Sequence, residues 1–322
     1  MRAIRIHQPG GPEAMVLDDI PEPAPRPHEA VVAVEAAGVN YIDVYFRTGV
    51  YEAPLPFTLG LEAGGTVTAV GGSVTEVKVG DRVAFTGAAG AYAERTTVPA
   101  AKLVVLPSGV TTRQGAAAML QGMTAHYLAM STWPLRDGHT CLVHAAAGGV
   151  GLLLCQIARM RGARVIGTVS TEEKADLARR AGAHEVILYS KQDFVAEVKR
   201  LTDGKGLQVV YDGVGRDTFY KGLDCLAPRG MMVLYGQASG PVGPFDLQLL
   251  NVKGSLFVTR PSLNHHTASR AELLERAGEV LGWIREGKLA LRMEHEYRLE
   301  DAPKAHRALE SRKTTGKLLL IA

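Results

Sequence analysis

The sequence predicts an α/β protein of two domains, with a block of alternating strands and helices set into a β-rich remainder. Three observations carry this reading. Up to about Gln121 the chain offers short β-branched runs closed off by Pro and Gly. From Cys141 to Gly236 strand patterns alternate with helix patterns. Residues 260–322 add two helices and a closing apolar run, Lys317–Ile321, that return to the first segment. The expected division is therefore 1–120 with 260–322, and 121–259.

In the first segment Ala30–Ala36 and Gly65–Val70 read as strands, and turns crowd in at Pro21–Pro27, Gly71-Gly72 and Gly80-Asp81. The proline run is a surface connector, since each Pro fixes φ and removes a donor. In the second segment Cys141–His144 is a strand and Val150–Arg161 a helix, with Val150, Leu153, Leu154 and Ile157 on one face and Gly162 as its stop. Arg164–Val169 is the next strand. Ser170-Thr171-Glu172-Glu173 then reads as a capping box, Ser170 being the N-cap and Glu173 reaching back, for a helix ending at Gly182. Glu185–Tyr189, Val209–Asp212 and Met231–Tyr235 are further strands, with a helix over Phe194–Leu201. Strands separated by helices pair in parallel through right-handed crossovers, which makes this block a doubly wound sheet. Helices are expected over Glu272–Glu286 and Ala302–Ser311.

Composition excludes several classes. Lys plus Arg number 36 against 33 Asp plus Glu, a net charge of +3 with no dense basic cluster, so no strong nucleic-acid binding is expected. Cys141, Cys155 and Cys225 are far apart, with no C-x-x-C pair, which fits a reducing, cytoplasmic setting rather than a disulfide framework. Cys141–Ala158 is nearly uncharged and about the length of a membrane span, but Gly148, Gly149 and Gly151 break it into strand, turn and helix. No membrane association is expected.

The sharpest signal is Ala146-Ala147-Gly148-Gly149-Val150-Gly151. It has the spacing of the dinucleotide-binding turn, with Ala for the first glycine, and it stands directly between a strand and a helix. Gly148 lets backbone approach a pyrophosphate, the helix N-terminus offers free N–H groups, and Gly151 allows close packing of helix on strand. About 20 residues on, folds that select NAD carry Asp or Glu for the ribose 2′-hydroxyl. Ser170 stands there, with Lys174 one turn later. A hydroxyl and an ammonium suit a 2′-phosphate, so the pattern reads NADP(H). The alternative is an ordinary N-cap serine and a solvated lysine. Tyr189 adds a hydroxyl or is a plain edge tyrosine.

No metal constellation emerges. Gly38–Asp43 and Leu59–Glu62 lack Cys and His, and the adjacent His265 and His266 diverge on any regular element. His144 reads as a core histidine. No nucleophile elbow or phosphate-loop pattern is present. The polar residues left for chemistry are Asn40, Tyr41, Tyr45, Arg47, Tyr51, Gln121 and Thr124. Tyr45 and Tyr51 are pocket wall, hydrogen-bond donors, or both.

The chain resembles the zinc-free quinone oxidoreductases of the medium-chain dehydrogenase/reductase superfamily, the group that includes zeta-crystallin. The resemblance runs end to end. It is carried by Ala36–Asp43, Val79–Val83, His144–Gly151, Val209–Gly215, Val258-Thr259-Arg260-Pro261 and Leu309–Arg312. It implies a GroES-like β-rich catalytic domain, a Rossmann cofactor domain, an active cleft between them, and a homodimer. In zinc-dependent relatives the places of Asn40 and Leu61 are zinc ligands, and both are lost here. The resemblance puts Ser170, Lys174, Tyr189 and Arg312 around the 2′-phosphate. It puts Asn40 and Tyr45 near the nicotinamide, with Gln121 and Thr124 beside them. It also implies that Ala147, Gly148, Gly149, Val150 and Gly151 hold the pyrophosphate and that Tyr235, Gly236, Phe257, Val258 and Thr259 line the cofactor. Gln121 departs from a lysine seen in some members. Tyr51 matches an active-site tyrosine of enoyl-thioester reductases.

The expected activity is hydride transfer from NADPH to a quinone, without zinc. Asn40 and a tyrosine hydroxyl would stabilise the developing oxyanion, and solvent or Tyr51 would supply the proton. Two alternatives stay open: reduction of enones or enoyl thioesters with the same cofactor, and a non-catalytic crystallin-like or RNA-binding role.

Overall fold

The structure, a computed structural model, describes every residue from Met1 to Ala322. Met1–Met123 with Thr267–Ala322 form one unit, and Thr124–His266 form another.

The first unit opens with β1 (Arg2–Ile6) and β2 (Met15–Asp19), which pair antiparallel. Next come β3 (Glu29–Val39), the short helix α1 (Tyr41–Arg47), β4 (Phe57–Thr58) and β5 (Glu62–Val70). Then follow β6 (Arg82–Thr86), β7 (Arg95–Pro99), β8 (Val104–Val105) and helix α2 (Thr112–Tyr127). β3 is the spine. One edge runs antiparallel along β5, while the other takes β7 over Glu29–Ala33. A stretch of small residues, Gly115–Ala118, lets α2 lie close on the sheet. A Cβ added at Gly64 would fall 2.1 Å from the Thr112 carbonyl oxygen. Nothing in the sequence patterning announces α2, because a Gly/Ala-rich helix buried on a sheet lacks the apolar stripe of a surface helix.

The second unit contains β9 (Thr140–Val143), α3 (Gly149–Met160), β10 (Arg164–Val169) and α4 (Glu172–Arg180). It continues with β11 (Glu185–Leu188), α5 (Phe194–Leu201), β12 (Leu207–Asp212) and α6 (Phe219–Leu223). β13 (Leu226–Leu234), α7 (Gln248–Val252) and β14 (Phe257–Thr259) complete it. The six strands are parallel, in the order β11-β10-β9-β12-β13-β14. The doubly wound sheet is thus observed, with one strand more than the sequence suggested. β14 is three residues long and lies at the sheet edge, with Phe257 54% exposed, which hides it from pattern reading.

Two helix starts differ from expectation. The N-cap of α4 is Thr171, not Ser170: the Thr171 hydroxyl accepts the Lys174 N–H at 3.3 Å, and Glu173 bonds back to Thr171. Two neighbouring hydroxyl residues compete for a cap, and the one whose side chain meets the third N–H takes it. The start at Asn40 went unread, although Asp43 accepts the Asn40 backbone N–H at 2.8 Å.

The chain then returns to the first unit through α8 (Arg270–Arg285), β15 (His295–Arg298), α9 (Ala302–Glu310) and β16 (Leu318–Ile321). β16 pairs with Ala36–Val39, filling the stretch of β3 that β7 leaves open. The core of this unit gathers Ile4, Val32, Val39, Leu59, Phe85, Tyr92 and Leu320.

Candidate functional site

In the first unit the polar end of β3 is buried and fully wired. The side-chain amide of Asn40 donates to the Gly38 carbonyl at 3.1 Å and to Glu62 Oε2 at 2.9 Å. Its Oδ1 accepts from Lys317 Nζ at 2.8 Å and from Gln121 Nε2 at 3.1 Å. Lys317 also pairs with Glu62, their side chains being 3% and 0% exposed. The amide orientation follows from chemistry: an ammonium only donates and a carboxylate only accepts. Both Asn40 hydrogens and both lone pairs are therefore committed. The sequence reading made Asn40 an oxyanion donor, but its amide has no hydrogen left to give. Glu62 and Lys317 escaped that reading because they lie 255 residues apart.

A second buried chain runs behind α1. Arg47 grips Glu310 through two bonds, 2.8 and 2.9 Å, and offers Nη1 to His306 Nδ1 at 3.2 Å. Nδ1 must accept, so the neutral ring carries its proton on Nε2 and donates to the Tyr92 hydroxyl at 3.2 Å. Tyr92 in turn donates to Asp43 Oδ2 at 3.0 Å, while Asp43 Oδ1 has no partner. Burial raises the Asp43 carboxyl to about 7. Burial, and then the Arg47 charge, push His306 down to about 3.

These two shifts oppose one another. His306 refuses a proton that the unfolded chain takes, so its contribution is lost as pH falls below about 6.5. Asp43 keeps a proton that the unfolded chain releases, so its contribution is present at low pH and lost as pH rises through about 7. Wild type should be nearly flat from these two groups between pH 6.5 and 4. His306→Gln should gain stability over wild type on acidification, and Asp43→Asn should lose it. Each difference is up to about 1.4 kcal/mol per pH unit. Urea midpoints at pH 7, 6 and 5 check this, and parallel curves for all three proteins would sink it.

Beside these networks lies an aromatic group. Tyr45 and Tyr51 meet edge to face at 5.4 Å, Tyr51 meets Phe46 at 5.6 Å, and Tyr41 lies 6.4 Å from Tyr45. α1 presents Tyr41 and Tyr45 one turn apart.

In the second unit the strand order reverses between β9 and β12, the switch point where open α/β sheets bind ligands beyond their carboxyl ends. The glycine turn stands at the end of β9. The first bond of α3 is Leu152 N–H to the Gly148 carbonyl, 2.9 Å, so the N–H groups of Gly149, Val150 and Gly151 precede the ladder. A Cβ at Gly151 would fall 2.3 Å from the Ala145 carbonyl oxygen. Ser170 follows β10, Lys174 lies in the first turn of α4, and the exposed Tyr189 follows β11. Tyr235 and Gly236 follow β13, both N–H groups bonding to the Asp212 carbonyl. Asp212, missed in the sequence, organises the next loop: its carboxylate accepts from Val214 and Gly215 N–H and from the Thr218 hydroxyl. All these residues gather at the carboxyl edge of the sheet. Thr124 belongs to this unit, whereas Asn40, Tyr45, Tyr51, Gln121 and Arg312 belong to the first. His144 is a core residue, its Nδ1 on the Thr168 hydroxyl at 2.9 Å. His266 stacks on Tyr127 at 4.2 Å. No group of three or more His, Cys, Asp or Glu could hold a metal ion.

A split β-rich unit with an inserted parallel sheet defines a medium-chain dehydrogenase/reductase. Residues 26–108 match the alcohol dehydrogenase GroES-like domain family, and residues 149–275 match a family described as zinc-binding dehydrogenase. A quinone oxidoreductase of Pseudomonas aeruginosa is 48% identical over 314 residues, 97% of each chain. The solved structure of the Escherichia coli quinone oxidoreductase complexed with NADPH superimposes with a TM-score of 0.98 at 44% identity, covering 100% of both chains. A 2-haloacrylate reductase of Burkholderia is 41% identical over 325 residues, 98% of this chain and 97% of the relative. The chain belongs to the quinone oxidoreductase family. The zinc in the second family's description finds no fit, since the Asn40 oxygen already holds the Lys317 ammonium.

Proposed function

We propose that the chain is an NADPH-dependent, zinc-independent quinone reductase. The observation that carries this is the carboxyl end of β10, combined with full-length likeness to quinone oxidoreductases. There Ser170 directly follows the strand and Lys174 stands in the first turn of α4, where folds that select NAD carry an acidic residue. The N–H groups of Gly149–Gly151 would hold the pyrophosphate, and Ser170 with Lys174 and Tyr189 the 2′-phosphate. Tyr235, Gly236, Phe257, Val258, Thr259 and Thr124 would line the cofactor. When bound, the reduced nicotinamide supplies the hydride. The chain's own part is to present an aromatic group, Tyr41, Tyr45 and Tyr51, to a planar acceptor, with the Tyr51 hydroxyl to donate to its oxygen, since the Tyr41 hydroxyl is given to the Leu309 carbonyl. The likeness to 2-haloacrylate reductase favours a second reading, an activated alkene as acceptor.

NADPH oxidation with and without 1,4-benzoquinone tests the reaction, with 2-chloroacrylate as the comparison acceptor. Lys174→Ala should weaken NADPH about tenfold or more, one charge-assisted bond, and leave NADH nearly unchanged. Equal dissociation constants of wild type for the two cofactors would refute the NADPH assignment.

The exposed edge at β14, with Leu247 and Val252 72% and 79% exposed nearby, supports a homodimer, which sedimentation equilibrium checks. The buried free thiols of Cys141, Cys155 and Cys225 accord with a reducing, cytoplasmic setting.

A further inference from the structure

We propose that Lys317 and Glu62 are positioning residues for the reductase reaction, acting through Asn40 to aim Gln121 at the bound ligand. The inference rests on the function proposed above and names residues of the same site.

One chain of donors and acceptors links these residues. Lys317 and Glu62 form an ion pair inside the protein, at the meeting of β16, β5 and α2. Glu62 is anchored a second time, its Oε1 accepting the Leu120 N–H of α2. A buried ion pair is weak evidence of stability, and in some proteins it serves to fix one arrangement. Here the arrangement is the Asn40 amide, held on all four of its hydrogen-bonding positions. Asn40 therefore presents an oxygen, never an N–H, toward Gln121. Gln121 must answer with Nε2, 3.1 Å away. That choice turns its carbonyl oxygen, and one remaining amide hydrogen, away from the network. Gln121 is only partly buried, and no further protein partner takes that edge of its amide. A carboxamide fixed in one of its two flips offers a defined acceptor and donor side by side, the pattern that meets a carbonyl or carboxamide ligand. With both the ammonium and the carboxylate gone, only the Gly38 carbonyl still holds the Asn40 flip, and the orientation of Gln121 loosens.

The test uses the full-length protein and four variants: Lys317→Met, Glu62→Gln, the double variant of these two, and Gln121→Leu. Melting temperature, NADPH affinity, and kcat and KM for 1,4-benzoquinone and 2-chloroacrylate are measured for each. Either single change leaves an unpaired buried charge, so both should lower the melting temperature. The double variant buries no charge and should recover most of it. Its kcat should stay about tenfold or more below wild type, the cost of a misplaced contact. Gln121→Leu should show the same kcat loss with the melting temperature unchanged. A double variant whose kcat returns with its melting temperature, or a Gln121→Leu protein with wild-type kcat, overturns the positioning role and leaves the reductase reading intact. A wild type inactive with both acceptors overturns the reductase reading, and this inference with it.

Discussion

A Gly151→Val chain should bind NADPH at least about 100-fold more weakly than wild type. The reason is spatial. A Cβ at this position would sit 2.3 Å from the Ala145 carbonyl oxygen and 2.8 Å from the Ala146 Cα. Both are backbone atoms of the turn itself, so no side chain can swing aside. Helix α3 must back away from the end of β9, and it carries the N–H groups of Gly149, Val150 and Gly151 with it. Losing two charge-assisted bonds to a pyrophosphate costs about 3 kcal/mol or more, which is the 100-fold. The added bulk also overpacks the helix–strand contact by about 1–3 kcal/mol. Fluorescence titration with NADPH, beside a urea melt, separates the two effects. Wild-type affinity in a folded variant would mean that the turn does not hold the cofactor.

Gly38→Ala should cost at least about 3 kcal/mol of stability, the range for breaking a buried ion pair. A methyl there would lie 2.3 Å from Glu62 Oε2 and 2.6 Å from both Lys317 Nζ and the Ala116 carbonyl oxygen. It drives between the charges that the network holds together, and the α2 backbone closes the only other way out. The Asn40 amide would lose its bond to the ammonium at the same time. Chemical denaturation gives the measure, and a loss under about 1 kcal/mol would show that the pair can step aside.

The second unit was legible because its signals are local. Arg164–Val169 and Phe194–Leu201 are bounded as the sequence indicates, by glycine stops and by caps within a few residues of the element they close. Where local rules tie, as between Ser170 and Thr171, the sequence cannot say which hydroxyl meets the N–H of Lys174. The first unit reads poorly for the opposite reason. Its polar heart joins Asn40 to Lys317 across 277 residues, and no periodicity links them. The sequence made Asn40 an oxyanion donor, but both of its amide hydrogens are already taken: a polar side chain looks like a donor until its partners are counted. Asp212 and Arg47 stood in recognisable segments, yet their roles as loop organiser and buried anchor depend on Thr218, Glu310 and His306 arriving from elsewhere.

The divided course of the first unit bears on how the protein is made. Synthesis delivers Thr124–His266 as one uninterrupted stretch, so its parallel sheet can be assembled while the remainder is still being translated. β3 cannot be completed at that stage, because the partner for Ala36–Val39 is Leu318–Ile321. Lys317 precedes that strand by one residue, so the ammonium that holds Asn40 arrives with the final stitch of the sheet. During translation the nascent chain carries a nearly finished nucleotide-binding half beside a half whose buried carboxylate, Glu62, still awaits its counter-charge.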